Sequence, residues 1–127
     1  MVFRYILTCL FLSLVTTTVF AQKAAYIIVS KEEMQMVVYD EKGEELLKFP
    51  IACGKNYGQK QKAGDNRTPE GIFKVVSQEP AAHWTYDFGN GPVKGAYGPL
   101  FIRLSTPGFK GIGIHGTHDE NTVPGRE

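Results

Sequence analysis

The sequence is poor in cysteine, which excludes a fold held together by disulfide bonds. Its 127 residues include two cysteines, and only Cys53 lies outside the N-terminal segment. A single cysteine in the apolar stretch Phe49–Gly54 is typical of a small buried hydrophobe. No cationic side chain within that stretch would favour the reactive thiolate. We therefore predict a structural role for Cys53.

The sequence also lacks an excess of charge of either sign. Its 14 basic and 13 acidic residues give a formal net charge of +1, and Arg4 accounts for the difference. A chain with balanced charge gives no reason to expect nucleic acid or an anionic membrane surface as a partner. The local basic group in Lys55–Arg67 is predicted to be a solvated loop.

No hydrophobic run is long enough to cross a bilayer. The apolar segment Tyr5–Val15 is interrupted by polar residues and falls short of the ~20 residues that a span needs. It follows Arg4 and precedes the small-residue site Val19–Ala21, which is the pattern of a secretory signal peptide. We predict that residues 1–21 are this signal. The rest of the chain would then be exported to the periplasm or cell envelope without a stable membrane anchor.

From residue 25 onward, apolar residues do not recur with the spacing of a helix. The chain instead shows short strand-like segments. Three segments rich in β-branched and aromatic residues predict an antiparallel meander: Tyr26–Val29, Met34–Tyr39 and Glu45–Ile51. Thr68–Gly71 places proline and glycine as in a β-turn and precedes a predicted strand at Ile72–Val76. The predicted class is all-β, with residues 22–127 in one small domain.

The segment Ser77–Ala96 has no usable period and is rich in aromatic residues and glycine. A long irregular segment in a small domain is often a binding loop or lid. Trp84 would then form part of an aromatic wall against a substrate. An aromatic cluster that completes a small core is an equally good interpretation.

The segment Leu100–Ser105 alternates apolar residues with Phe101 and Arg103, as a half-buried strand does. Arg103 is therefore predicted to face the side opposite the core. It would lie beside His115 if this strand pairs with the next across the turn at Thr106–Lys110. An arginine there is suited to gripping a carboxylate, although an ordinary exposed cation gives the same pattern.

The most informative segment is Gly111–Thr117, which reads GIGIHGT. In an extended chain, Gly111, Gly113 and His115 would share one face, which is nearly bare of side chains. Glycine within a strand leaves room for a ligand or another backbone. The pattern predicts that His115 is presented to a substrate, while a satisfied histidine at a glycine-rich corner remains the alternative.

Several kinds of catalytic site have no support in the sequence. His115 and His118 are three residues apart outside a helix, which does not define a metal site. No serine lies in a Gly-x-Ser-x-Gly elbow. The sequence therefore predicts neither a metal nor a cofactor.

Three blocks together resemble the YkuD-type L,D-transpeptidases of bacterial cell walls. They are Gly64–Phe73, Tyr97–Leu104 and Gly111–Thr117, and the resemblance extends over about Ala25–Glu127. It implies an all-β, sandwich-like domain and a cysteine nucleophile. That cysteine attacks a peptidoglycan stem peptide, expels the terminal D-alanine and passes the acyl group to an amine on another stem.

The resemblance also implies roles for individual residues. His115 would be the base that activates the cysteine, and the backbone carbonyl of Gly116 would orient it. Apart from the resemblance, the strand and loop patterns described above predict substrate contacts from Arg103, Gly113, Tyr97 and Trp84.

One part of the family pattern is missing. The family nucleophile lies in a Ser/Thr-His-Gly-Cys motif beyond the first histidine, and this sequence ends 12 residues after His115 without it. Cys53 precedes the histidine in a different strand and does not match that position. We therefore expect a truncated catalytic domain that is inactive on its own and poorly stable.

Two further functions remain open. A non-catalytic cell-wall module could hold a stem peptide by strand addition at Gly111 and Gly113. Hydrolysis would use the same residues as transfer and differ only in the acyl acceptor.

Overall fold

The computed structural model describes residues 21–126, so the predicted signal peptide lies almost entirely outside the described residues. The described part is built from short strands: β1 (Ala24–Ser30), β2 (Gln35–Asp40), β3 (Glu45–Pro50), β4 (Ala52–Cys53), β5 (Lys74–Pro80), β6 (Thr85–Asp87), β7 (Pro92–Lys94), β8 (Leu100–Ser105), β9 (Gly113–His115) and β10 (Gly125–Arg126). One turn of 3-10 helix lies at Glu120–Thr122. The predicted all-β class is confirmed.

Strands β1, β2 and β3 form an antiparallel sheet in that order, which confirms the predicted meander. The turn between β2 and β3 is closed by the Asp40 carboxylate, which accepts hydrogen bonds from the backbone N–H groups of Lys42 (2.8 Å) and Glu44 (2.9 Å). Gly43 adopts a φ of +81° in this turn, a conformation that suits glycine. Local turn chemistry thus sets the register of the meander.

The long loop after β4 is organised by Asp65. Its carboxylate accepts hydrogen bonds from the Lys60 ammonium (2.8 Å) and from the backbone N–H groups of Gln61, Lys62 and Arg67. The hydrogen bond from Lys60, followed by those from the backbone, holds the pKa of Asp65 far below its usual range. The loop predicted to be merely solvated is therefore an ordered structure around one anion.

The Thr68–Gly71 turn is attached to the end of β4. The Thr68 hydroxyl accepts a hydrogen bond from the Gly54 N–H at 2.8 Å. A Cβ on Gly54 would lie 2.6 Å from the carbonyl oxygen of Asn66, so the two segments approach as closely as glycine allows. This contact brings the first half of the chain against the segment that leads into β5.

Strands β5, β8 and β9 form the second antiparallel sheet, with β8 in the centre. The predicted strand at Ile72–Val76 begins later than expected, at Lys74, and extends to Pro80 after a bulge between Val75 and Ser77. The prediction that Ser77–Ala96 is irregular is wrong in two places. Ser77 to Pro80 continue β5, and strands β6 and β7 form a hairpin.

A short parallel pair completes the described structure. Strand β10 lies beside β4, with Arg126 opposite Cys53. The Arg126 guanidinium donates to the Gly54 carbonyl oxygen at 3.0 Å and lies 3.8 Å from the Tyr57 ring centroid. These contacts attach the end of the described chain to the β4 region.

The buried core within residues 21–126 is small. Its apolar members are Val37, Val38, Cys53, Ala81, Ala96 and Phe101. Larger side chains remain open to solvent, including Leu47 on β3 and Ile72, which is completely exposed. Burial of apolar surface is the main favourable contribution to folding, so this part of the chain gains comparatively little from it.

Candidate active site

His115 lies at the end of β9 with its side chain exposed and its ring oriented by the next residue. Its Nδ1 is 2.7 Å from the carbonyl oxygen of Gly116. Because a carbonyl oxygen can only accept a hydrogen bond, this geometry assigns a proton to Nδ1. In the neutral imidazole the lone pair is then on Nε2, which can accept a proton.

The Phe101 ring packs against the face of this imidazole. Phe101 lies directly opposite His115 in the β8–β9 register. The two rings are parallel within 7°, with centroids 5.4 Å apart. Phe101 is 4% exposed, which makes it the most buried residue of β8. The alternation of β8 predicted the core on the face of Leu100, and the structure instead buries Phe101 on the opposite face.

Tyr97 packs edge-on against the imidazole, with the centroids 5.0 Å apart and the planes at 77°. Partial burial, and to a lesser extent the nearby Tyr86, raises the pKa of the Tyr97 phenol. The next residue, Gly98, has a φ of +68°, and a Cβ there would lie 2.7 Å from the Cα of Gly116. The Tyr97–Gly98 segment therefore packs against the backbone that orients His115.

Trp84 adds a third ring to this cluster. It is tilted against Phe101 at 5.5 Å and packs edge-on against Tyr97 at 6.0 Å. Its carbonyl oxygen accepts the Gly95 N–H at 2.8 Å, which continues the β6–β7 hairpin toward its base. Trp84 and Tyr97 thus pack together in one ring cluster. Their role as a wall against a substrate stays a prediction.

An open cavity of about 500 Å³ adjoins these rings. It is lined by His83, Trp84, Thr85, Tyr97, Phe101, Arg103 and Gly111. Four of these residues come from the segment between β5 and β8. The cavity is therefore a place where a ligand could contact the ring cluster that holds His115.

Arg103 is on the same face of β8 as Phe101, but it is already paired with a carboxylate of the protein. Its Nε and Nη2 donate to the two carboxylate oxygens of Glu79 at 2.6 and 3.2 Å. The hydrogen bonds from Arg103 lower the pKa of Glu79, and Glu79 raises the pKa of Arg103. Glu79 thus engages Nε and Nη2 of the arginine that was expected to grip a substrate carboxylate, and that role of Arg103 stays a prediction.

The bare glycine face predicted beside His115 is not present. Gly111 has a φ of +73° and lies outside β9, so it does not continue the strand. At Gly113, a Cβ would lie 2.3 Å from Cε1 of Phe101 and 2.7 Å from the Ile102 carbonyl oxygen. The space above Gly113 is filled by the Phe101 ring, which leaves no opening there for a ligand.

Two contacts of the site were missed by sequence reasoning. Glu79 was not identified as the partner of Arg103, and Phe88 on the β6–β7 connection packs on His118 with centroids 4.9 Å apart. The stacking of Phe101 on His115 was open to prediction, because Phe101 shares with Arg103 the β8 face that was predicted to lie beside His115. No local pattern pointed to Glu79 or Phe88.

Cys53 lies apart from this ring cluster in the topology. It belongs to β4, which pairs with β10, and its buried Sγ lies 3.8 Å from the sulfur of Met34. Both observations agree with a packing role for this thiol.

No three His, Cys, Asp or Glu side chains among residues 21–126 are grouped so that they could hold a metal ion. Within the same residues, no helix has the length and hydrophobicity needed to cross a membrane.

Comparison with known proteins gives one match. The family model for the YkuD L,D-transpeptidase catalytic domain matches residues 24–126. Neither a curated protein nor a solved structure matches the chain significantly.

Proposed function

Because this chain belongs to the YkuD family of L,D-transpeptidase catalytic domains, we propose that it supplies the general-base part of a peptidoglycan L,D-transpeptidase site. The observation that carries this proposal is the 2.7 Å contact between Nδ1 of His115 and the Gly116 carbonyl oxygen. That contact leaves Nε2 free to take a proton. A base in this state can convert a cysteine thiol into the nucleophilic thiolate.

The proposed reaction proceeds in two steps. In the first, Nε2 of His115 accepts the thiol proton, and the thiolate adds to the stem-peptide carbonyl next to the terminal D-alanine. Collapse of the tetrahedral intermediate breaks the C–N bond, and the imidazolium returns its proton to the departing D-alanine amine. In the second, an amine of another stem peptide attacks the thioester and releases the thiol.

The cysteine of this reaction is not among residues 21–126. Cys53 is buried beside Met34 and belongs to the β4–β10 pair rather than to the sheet of His115. Residues 22–127 alone would therefore be inactive in acyl transfer. Trp84 and Tyr97 are the proposed substrate walls, because both border the cavity beside the ring cluster.

The proposal can be tested by intact mass. The mature chain is incubated with a carbapenem, an acylating inhibitor of the class that the family resemblance suggests. We expect no covalent adduct on Cys53. A stoichiometric adduct on Cys53 would show that this thiol is a nucleophile and that its proposed packing role is wrong.

A second test addresses the proposed export to the cell envelope. The intact mass of the protein is measured after its isolation from the native cell. We expect residues 1–21 to be absent from that mass, as removal of a signal peptide requires. A mass that includes residues 1–21 would contradict export through a cleaved signal peptide.

A non-catalytic cell-wall module is the second candidate, and the position of β9 favours it. Within residues 21–126, β9 pairs on one side only, with β8. The backbone groups of Gly113 face the unpaired side, since the adjacent Ile112 carbonyl accepts its hydrogen bond from Leu104 of β8. An extended stem peptide could add to this edge. Binding of the full gene product to purified peptidoglycan without crosslinking would support this function over catalysis.

A further inference from the structure

The position of Phe101 relative to His115 follows from the strand register. Leu104 donates to the Ile112 carbonyl oxygen at 3.0 Å, so the hydrogen-bonded pairs fall at every second residue from there. Phe101 and His115 therefore form a non-hydrogen-bonded pair. In such pairs the Cα atoms are only about 4.5 Å apart and the side chains lie close. The strand register alone therefore places these two rings next to each other.

Gly113 determines which side-chain conformation Phe101 can adopt. The ring occupies the volume that a side chain at position 113 would fill, with Cε1 at 2.3 Å and Cζ at 2.5 Å from the Cβ position. With glycine at that position, the ring lies over Gly113 and stays parallel to the imidazole of His115. Any larger residue would force the ring away from this place.

The Phe101 ring also contacts the guanidinium group of Arg103, which is itself fixed by hydrogen bonds. The Arg103 guanidinium carbon lies 5.0 Å from the ring centroid, within the range of a cation–π contact. Glu79 fixes that guanidinium through two hydrogen bonds. The pair of Arg103 and Glu79 thus restrains the ring that stacks on His115.

We propose that Phe101 is a positioning residue, which fixes the imidazole plane of His115 so that Nδ1–H points at the Gly116 carbonyl oxygen and Nε2 stays free. What Nε2 does next rests on the proposed function, but the orientation does not. Rotation of the imidazole away from the Phe101 plane would lengthen the Nδ1 contact and allow the proton to move to Nε2. The proposal assigns to Phe101, Gly113 and the Glu79–Arg103 pair one shared effect on the tautomer of His115.

The test measures the His115 tautomer by ¹⁵N NMR in the mature chain. In the parent we expect a protonated Nδ1, a free Nε2, NOEs from Phe101 to the imidazole and an upfield ring-current shift of the imidazole protons. In Phe101→Leu we expect the ratio of the two tautomers to fall about fivefold, which corresponds to about 1 kcal/mol, the net value of one hydrogen bond. The ring-current shift should disappear.

Two further variants separate positioning from packing. Gly113→Ala keeps the Phe101 ring but displaces it, so it should lower the tautomer ratio even if Phe101→Leu does not fold. In the double variant that combines Phe101→Leu with Gly113→Ala, the alanine methyl group fills part of the space left by the Phe101 ring. Its melting temperature should recover relative to Phe101→Leu, while the His115 tautomer should stay mixed.

Phe88→Leu is the matched control. It removes an aromatic ring that stacks on His118 instead of His115, so it should move the His118 signals and leave the His115 tautomer unchanged. The proposal is overturned if the parent shows no Phe101–His115 NOE. It is also overturned if His115 keeps its tautomer ratio in the folded variants. Neither measurement depends on acyl transfer, so failure of the proposed reaction would leave these results unaffected.

Discussion

Gly98 and Gly116 pack backbone against backbone, so closely that a Cβ on Gly98 would lie 2.7 Å from the Cα of Gly116. The contact joins the segment that carries Tyr97 to the carbonyl group that accepts a hydrogen bond from His115 Nδ1. Two residues without side chains therefore let the segment of Tyr97 pack against the backbone next to His115.

Gly98→Ala should disturb both the fold and this carbonyl. The left-handed φ of +68° and the clash with Gly116 should together lower the free energy of unfolding by about 2–4 kcal/mol. Gly64→Ala is the control, since Gly64 has a φ of +73° and no atom near its Cβ position. Urea unfolding should show a smaller loss for Gly64→Ala, of about 1–2 kcal/mol. Equal losses would mean that the contact with Gly116 contributes nothing.

Thr68→Val should weaken the attachment of the Thr68–Gly71 turn to β4. Valine has a similar shape but cannot accept the hydrogen bond of the Gly54 N–H. A donor left without its partner costs about 1–3 kcal/mol, which urea unfolding can measure. Thr68→Ser keeps the hydroxyl and should retain most of the stability. If the serine variant loses as much as the valine variant, the hydroxyl is not the stabilising group.

Asp65→Asn should make the chain less sensitive to acid. The hydrogen bonds from Lys60 and from three backbone N–H groups lower the pKa of Asp65 in the folded state. A lowered folded pKa gives stabilisation that is present above the unfolded value of about 3.9 and is lost as the pH falls below it. The melting temperature of the variant should therefore be lower than that of the parent at neutral pH. The two should converge below about pH 3.9.

Glu41→Gln provides the control for this pH series. Glu41 is an exposed carboxylate in the β2–β3 turn and makes no side-chain hydrogen bond within residues 21–126. Its substitution should leave the acid limb of the melting curve unchanged. A gap between the parent and Asp65→Asn that stays constant from neutral pH to pH 2 would contradict the assignment to the Asp65 carboxylate.

Glu79→Gln should release Arg103 for a ligand. In the parent, both donors on one side of the guanidinium are bound to Glu79. A stem peptide that ends in D-alanine should therefore leave the Arg103 Nε–H signal unchanged in a ¹H–¹⁵N titration. In the variant, the freed fork should bind the peptide carboxylate and the signal should shift.

Glu33→Gln makes the same charge change at an exposed carboxylate that accepts a hydrogen bond from Gln35. It should leave the Arg103 signal insensitive to the peptide. If the peptide shifts the Arg103 Nε–H signal in the parent, Arg103 binds the substrate directly despite its pairing with Glu79.

The strand pattern could be predicted from the sequence because its causes are local. Alternation of apolar residues, turn residues such as those at Asp40–Gly43 and the absence of a helical period depend on neighbours along the chain. They predicted the meander and the bounds of β8 correctly, but not which face of β8 is buried. The start of β5 was misplaced because the bulge between Val75 and Ser77 depends on its pairing with β8.

The sequence by itself determined the all-β class, the meander and the family to which the chain belongs. It also singled out His115 and Gly116, since they are adjacent and the Nδ1 contact needs no distant partner. Only the tertiary structure decided that Phe101 fills the space above Gly113 and that the Glu79 carboxylate pairs with the Arg103 guanidinium. Glu79 is 24 residues from Arg103 along the chain. Contacts of this kind depend on strand register and on the rotamers of individual side chains, which no local sequence pattern specifies.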